Sequence, residues 1–112
     1  MKNSYIRFLN IIATLERSNP GKALDEIEIQ LLEFTLRSLD RGEKLLVGDL
    51  LKLSQFGSQA TLHSRIKNLT ALGYLSLVSD KADGRKKFVL PTKAAFKYVQ
   101  FMSECLDNAA IL

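Results

Sequence analysis

Residues 46–90 read LVGDLLKLSQFGSQATLHSRIKNLTALGYLSLVSDKADGRKKFVL, and the way they group decides the fold. Gly48 to Leu53 places Leu50, Leu51 and Leu53 in a short helical run. Ser54-Gln55-Phe56-Gly57 then interrupts it with polar residues and a glycine, the length of turn found in a helix-turn-helix. Ser58 can cap the next helix, because its hydroxyl accepts from an unpaired amide of the first turn. In that helix Leu62, Ile66, Leu69 and Leu72 recur at helical spacing along one side. Ser58, Gln59, Thr61, Arg65 and Asn68 share much of the other, and Gly73 closes it. Tyr74 to Val78 and Lys87 to Leu90 alternate or run apolar as strands do, around an Asp83-Gly84 turn signal. The expected unit is therefore mainly α with a small β-hairpin, a winged helix-turn-helix. Helix 58–72 is its presented element and 79–87 its wing.

Charge supports the same grouping. The 112-residue chain carries +4, but from Lys44 to Lys97 ten basic residues face only Asp49, Asp80 and Asp83, a local balance of +7. The residues before this stretch sum to −1 and those after it to −2. A positive field confined to one subregion is the electrostatic footprint of a surface that neutralises phosphates.

Toward the N-terminus, Tyr5, Phe8 or Leu9, Ile12 and Leu15 form one stripe of a first helix over residues 4–17, ended by Ser18-Asn19-Pro20-Gly21. Asp25 opens a second helix with Glu28 in the capping-box position and Leu24 and Ile29 placed as a hydrophobic staple. Leu24, Ile27, Leu31, Phe34 or Thr35, and Leu39 give its expected buried stripe, widened by Ile29, Leu32 and Leu36. Asp40-Arg41-Gly42 stops it with glycine near C′. Lys44-Leu45-Leu46 reads as an edge strand or as the lead into the third helix. Beyond the hairpin, Thr92 can cap a last helix carrying Ala95, Tyr98 or Val99, Met102, Cys105 or Leu106, and Ala109. Phe96 and Phe101 fall off that stripe, so this helix is apolar on two faces. Residues 1–112 read as one domain in which 1–23 and 92–112 are dimerisation helices and a second copy of the chain covers the surplus apolar surface.

The candidate DNA-binding residues are Ser58, Gln59, Thr61, Arg65, Asn68, Arg85, Lys86 and Lys87. A recognition helix reads base edges from its N-terminal half. Gln59 suits an adenine edge, and Arg65 a guanine edge or a phosphate. Lys67 and Asn68 sit further along, nearer the DNA backbone or water. An arginine at a wing tip, here Arg85, can enter a narrow minor groove, and Asp83 can orient its guanidinium. His63 is the only histidine and reads as a surface or phosphate-facing residue. With one His and one Cys no metal centre is expected, and no cofactor either. No nucleophile–base pair or phosphate loop appears, so the chain does not read as an enzyme. Cys105, the one cysteine, precludes an internal disulfide and reads as a small core residue, which fits a cytoplasmic protein. No secretory signal and no membrane span is expected.

Residues 24–106 resemble the MarR family of winged-helix transcriptional regulators. The resemblance is carried by LLVGDLLKL, by SQATLHSRIKNLTALGYL and by the wing DKADGRKKFVLPT, in which Asp83 and Arg85 stand as the family's wing Asp and Arg do. It implies a homodimer with interleaved terminal helices on a pseudo-palindromic operator. It also implies that Ser58, Gln59, Thr61 and Arg65 meet the major groove and Arg85 the minor groove. The chain departs from the pattern after the wing, where Leu90-Pro91-Thr92 runs into Lys93-Ala94-Ala95 without the usual glycine. A small-molecule effector is compatible with the resemblance, although no residue pattern points to one. The competing reading is a winged helix used as an adaptor or antirepressor, binding a protein instead of specific DNA.

Overall fold

The computed structural model describes residues 3–15, 19–21 and 23–111. Its elements are α1 (Ser4–Thr14), α2 (Glu26–Asp40), α3 (Val47–Leu51), α4 (Gln59–Ala71), β1 (Leu75–Ser79), β2 (Lys87–Pro91) and α5 (Lys93–Ala110). Glu16, Arg17 and Ser18, the expected end of the first helix and start of its breaker, lie outside the described residues. The chain divides into two compact units, Leu24–Ala95, and Met1–Ala23 with Phe96–Leu112.

In the first of these, local chemistry starts and stops each helix. Asp25 caps α2 by accepting from the Glu28 amide at 2.8 Å, and Glu28 returns the contact by accepting from the Asp25 amide at 2.9 Å. At the other end Gly42 sits at φ +75°, where a side chain would be strained. There the Gly42 amide donates to Leu39 O at 2.9 Å and the Glu43 amide to Ser38 O at 3.0 Å, the Schellman arrangement. Gly73 repeats it after α4 at φ +85°, with Tyr74 N donating to Leu69 O and Gly73 N to Thr70 O. Two strained backbone positions are thus both met by glycine.

Leu31, Leu32, Leu50, Leu62 and Leu69 are wholly buried, joined by Ile66, Leu75 and Val89. The buried line of α2 keeps the expected Leu24, Leu31 and Thr35 but also takes in Glu28 and Ser38, while Leu39 is 42% exposed. These polar residues are accommodated because each finds a partner. Thr35 Oγ1 donates to Leu31 O at 2.9 Å, Ser38 Oγ accepts from Arg41 Nη2 at 3.4 Å, and Glu28 holds the capping contact.

Strands β1 and β2 pair antiparallel from Leu75↔Pro91 to Ser79↔Lys87. Lys44-Leu45-Leu46 adds one bridge, Leu46↔Phe88, instead of a strand, with Val89 N donating to Leu45 O at 2.8 Å. The period of two turns Leu75 and Val89 to the core and leaves Val78 and Leu90 nearly half exposed. There, with Thr35, Leu39, Leu45 and Phe88, they line an apolar groove of about 370 Å³. A turn forms at the expected Asp83-Gly84 signal, where Lys86 N donates to Asp83 O at 3.0 Å. Residues 80–86 make a longer loop around it, in which Asp80 N donates to Lys86 O. Gly84 is not among the positive-φ glycines, so it does not adopt the left-handed geometry of a tight hairpin turn.

In the second unit, Asn3 caps α1 by accepting from Tyr5 N at 3.0 Å, and Arg7 Nε donates to Ala109 O of α5 at 2.7 Å. No residue of α1 is buried, and Tyr5 and Leu15 of the expected stripe are 64% and 40% exposed. On α5 the buried residues are Ala95, Tyr98, Cys105 and Ala109, whereas Phe96, Val99 and Leu106 stay exposed. Gly21 lies against the Tyr98 ring so closely that an added Cβ would meet it at 2.7 Å. Among the described residues no helix is long and apolar enough to cross a membrane.

Candidate nucleic-acid interface

Helix α4 is held at both ends by its own sequence. Ser58 Oγ accepts from Thr61 N at 3.2 Å and donates to Thr61 Oγ1 at 3.0 Å, so the Ser58 hydroxyl serves the cap. The Schellman turn at Gly73 fixes the other end. Leu62, Ile66 and Leu69 face the core. At ~3.6 residues per turn the opposite side centres on Ala60, Ser64 and Lys67, and all three are exposed, as are Gln59 and His63. Thr61 and Arg65 flank that face and are half-buried. Ala60 and Ser64 are absent from the sequence-based candidates, although their spacing from the leucine stripe was the available signal.

Arg65 and Asn68 are engaged with α2. Arg65 Nε lies 2.6 Å from Asp25 Oδ2, a close ion pair whose N–H is not aligned as a hydrogen bond. Asn68 Nδ2 donates to Glu28 Oε2 in a short contact. The two acids of the α2 capping box therefore each hold one residue of α4, at positions 65 and 68, with the oxygen the cap does not use. The contact takes one N–H of the exposed Asn68 amide, and Arg65 keeps its outer Nη groups for another partner.

The wing presents Arg85 outward, with its side chain 93% exposed. Asp83 Oδ1 accepts from Arg85 N at 3.1 Å and Arg85 Nε at 3.2 Å, which ties the base of the side chain to the turn. Asp80 Oδ1 accepts from Ala82 N at 2.9 Å, and Asp49 Oδ2 from Leu46 N at 2.9 Å. All three acids of the basic stretch are thereby spent on backbone amides. Lys86 and Lys87 turn toward α3, where they, Arg85 and Lys52 line a cleft of about 400 Å³. Lys52 enters the sequence reading only as a charge, because nothing local links it to a wing more than thirty residues away. Cys105 is buried, and no group of three His, Cys, Asp or Glu residues that could hold a metal occurs among the described residues.

No protein-family model and no curated sequence matches the chain. Several solved structures do match. A point mutant of MepR from a multidrug-resistant S. aureus clinical isolate aligns with TM-score 0.65 at 17% identity, over 96% of this chain and 79% of that one. The transcriptional regulator Tm0710 from Thermotoga maritima gives 0.62 at 21%, over 93% and 73%. The heme sensor protein PefR from Streptococcus agalactiae gives 0.58 at 19%, over 96% and 76%. At such identities the likeness is one of fold. That fold is the winged helix: a mainly helical unit with a two-stranded antiparallel hairpin.

Proposed function

We propose that this chain is a sequence-specific double-stranded DNA-binding regulator that acts as a homodimer. In this reading α4 enters the major groove with Gln59, Thr61 and Arg65 toward base edges, while Ser58 contributes mainly its cap. Ser64 and Lys67 join them at the centre of the exposed face. Arg85 reaches the minor groove, and Lys52, Lys86 and Lys87 take flanking phosphates. The observation that carries the reading is the coincidence of three things in residues 44–97. These are a +7 local balance, an outward helix face of small and polar side chains, and a basic cleft at the wing whose neighbouring acids are all tied to backbone amides. Such a surface favours a polyanion through counterion release, with Arg85 holding one exposed pair to Asp83 at 3.2 Å.

The homodimer is supported by the unit of residues 1–23 and 96–112, where Tyr5, Leu9, Phe96, Leu106 and Ile111 are between 43% and 69% exposed. Apolar surface of this extent on so small a unit marks an interaction face.

Selection of bound sequences from a random duplex pool, followed by titration of the selected site and a scrambled site, tests the reading. The expected result is an enriched motif with two related half-sites and at least a thousandfold preference over the scrambled duplex, the lower end of ordinary specific binding. Absence of any duplex binding at low salt would refute it in favour of a protein-binding winged helix.

A further inference from the structure

The contact between α4 and the N-terminus of α2 bears on how DNA is read. Asp25 does two separate jobs: Oδ1 caps α2 through Glu28 N at 2.8 Å, and Oδ2 holds Arg65 Nε at 2.6 Å. Both side chains remain partly open, at 43% and 36% exposure, so neither is buried away from an approaching polyanion. A carboxylate beside an exposed recognition helix is costly for DNA affinity, since it repels phosphate and occupies an arginine. We infer that Asp25 is a positioning residue for specificity: it withholds Arg65 from the phosphate backbone and leaves only its outer Nη edge for a base. This rests on the DNA-binding reading above.

The physical argument is a competition for one guanidinium. Arginine offers five donors in a rigid planar fork. With Nε engaged by Asp25, the fork is restrained and its two terminal nitrogens can still make the paired contact that guanine O6 and N7 accept. A free Arg65 would instead collapse onto the nearest phosphate, which is present at every sequence. Asp25 therefore lowers affinity for all DNA but lowers it least where a guanine stands opposite the Nη edge.

The two jobs of Asp25 can be separated, because asparagine caps a helix about as well as aspartate. In Asp25→Asn the cap to Glu28 N persists, while the amide NH2 now faces the Arg65 donors and releases them. With full-length protein, the expected result is an unchanged melting temperature and a roughly three- to tenfold gain in affinity for scrambled duplex at about 0.1 M salt. The slope of log K against log salt steepens by about 0.9 for each engaged protomer, one phosphate contact apiece. Preference for the wild-type-selected site falls by up to that same three- to tenfold factor, because the selected site gains less than the scrambled one. Asp25→Ser, which also caps without charge, makes the same test should the asparagine variant fail to fold. In an Arg65→Gln background, Asp25→Asn should leave scrambled-duplex affinity and slope nearly unchanged.

Three results overturn the inference while leaving the DNA-binding reading standing. One is equal change on selected and scrambled DNA, and another is no change on either. The third is a gain of the same size in the Arg65→Gln background, which would reduce Asp25 to a general negative charge. A wild-type protein that binds no duplex removes both readings at once.

Discussion

Arg85→Ala separates binding from stability more cleanly than any other change in this chain. The side chain is 93% exposed, and its one ion pair, 3.2 Å to Asp83, is a surface contact. Exposed pairs of this kind contribute about 0–1 kcal/mol, and surface substitutions usually stay within ~0.5 kcal/mol. The turn survives the truncation because the backbone N–H of residue 85 still donates to Asp83 Oδ1. Melting should therefore shift by no more than a few degrees. Binding should respond far more. Loss of a groove-inserted arginine costs on the order of 1–3 kcal/mol, a factor of about five to a hundred and fifty. If that arginine also neutralises one phosphate, the salt slope drops by about 0.9, so the variant's deficit shrinks about threefold between 50 and 200 mM salt. With both wings of a dimer engaged the shrinkage becomes about tenfold. Fluorescence-anisotropy titrations at four salt concentrations, paired with thermal melts, measure all three quantities. Unchanged affinity at 50 mM salt would refute the wing as a DNA contact. A large melting loss would refute the exposure argument instead.

Leu69→Ala removes a fully buried side chain from α4 and should cost ~2–5 kcal/mol, read by urea unfolding, with DNA affinity restored under conditions where the variant is folded. Gly73→Ala places a side chain at φ +85° and should cost about 1–2 kcal/mol even though nothing lies within 4 Å of the added Cβ; a neutral result would show that the Schellman turn had relaxed. Leu106→Glu, at a position 54% exposed, should leave the fold intact but shift sedimentation from dimer toward monomer and weaken binding to a two-half-site duplex; an unaltered dimer would take α5 out of the interface.

Much of the local structure could be read along the chain. The Asp25/Glu28 capping box, the Ser58 cap and the glycines at 42 and 73 all depend on residues within about five positions of each other. Their hydrogen bonds form wherever the helix forms. Three residues of the expected α4 stripe, Leu62, Ile66 and Leu69, are buried at the helical period, whereas Leu72, the C-cap residue, is 45% exposed.

Reading failed where the partner was distant or the pattern ambiguous. Leu39 and Ser38 are neighbours at the end of α2, and hydrophobicity favours burying the leucine. The structure buries Ser38 and exposes Leu39, because the direction from which the core covers α2 is fixed by the elements that pack on it. The wing's turn does fall at the Asp83-Gly84 signal, but the Ser79↔Lys87 register sets it inside a seven-residue connection, and Gly84 has no positive φ there.

By itself, the order of residues determined the caps and stops of α2 and α4, the hairpin, and the segregation of positive charge into residues 44–97. Only the tertiary structure decided what Arg65 and Asn68 touch. Both contacts join residues forty positions apart, and they exist because α2 and α4 cross where the capping box leaves two carboxylate oxygens unspent. Periodicity specifies which face of a helix is buried but not which residue of another helix lies across from it.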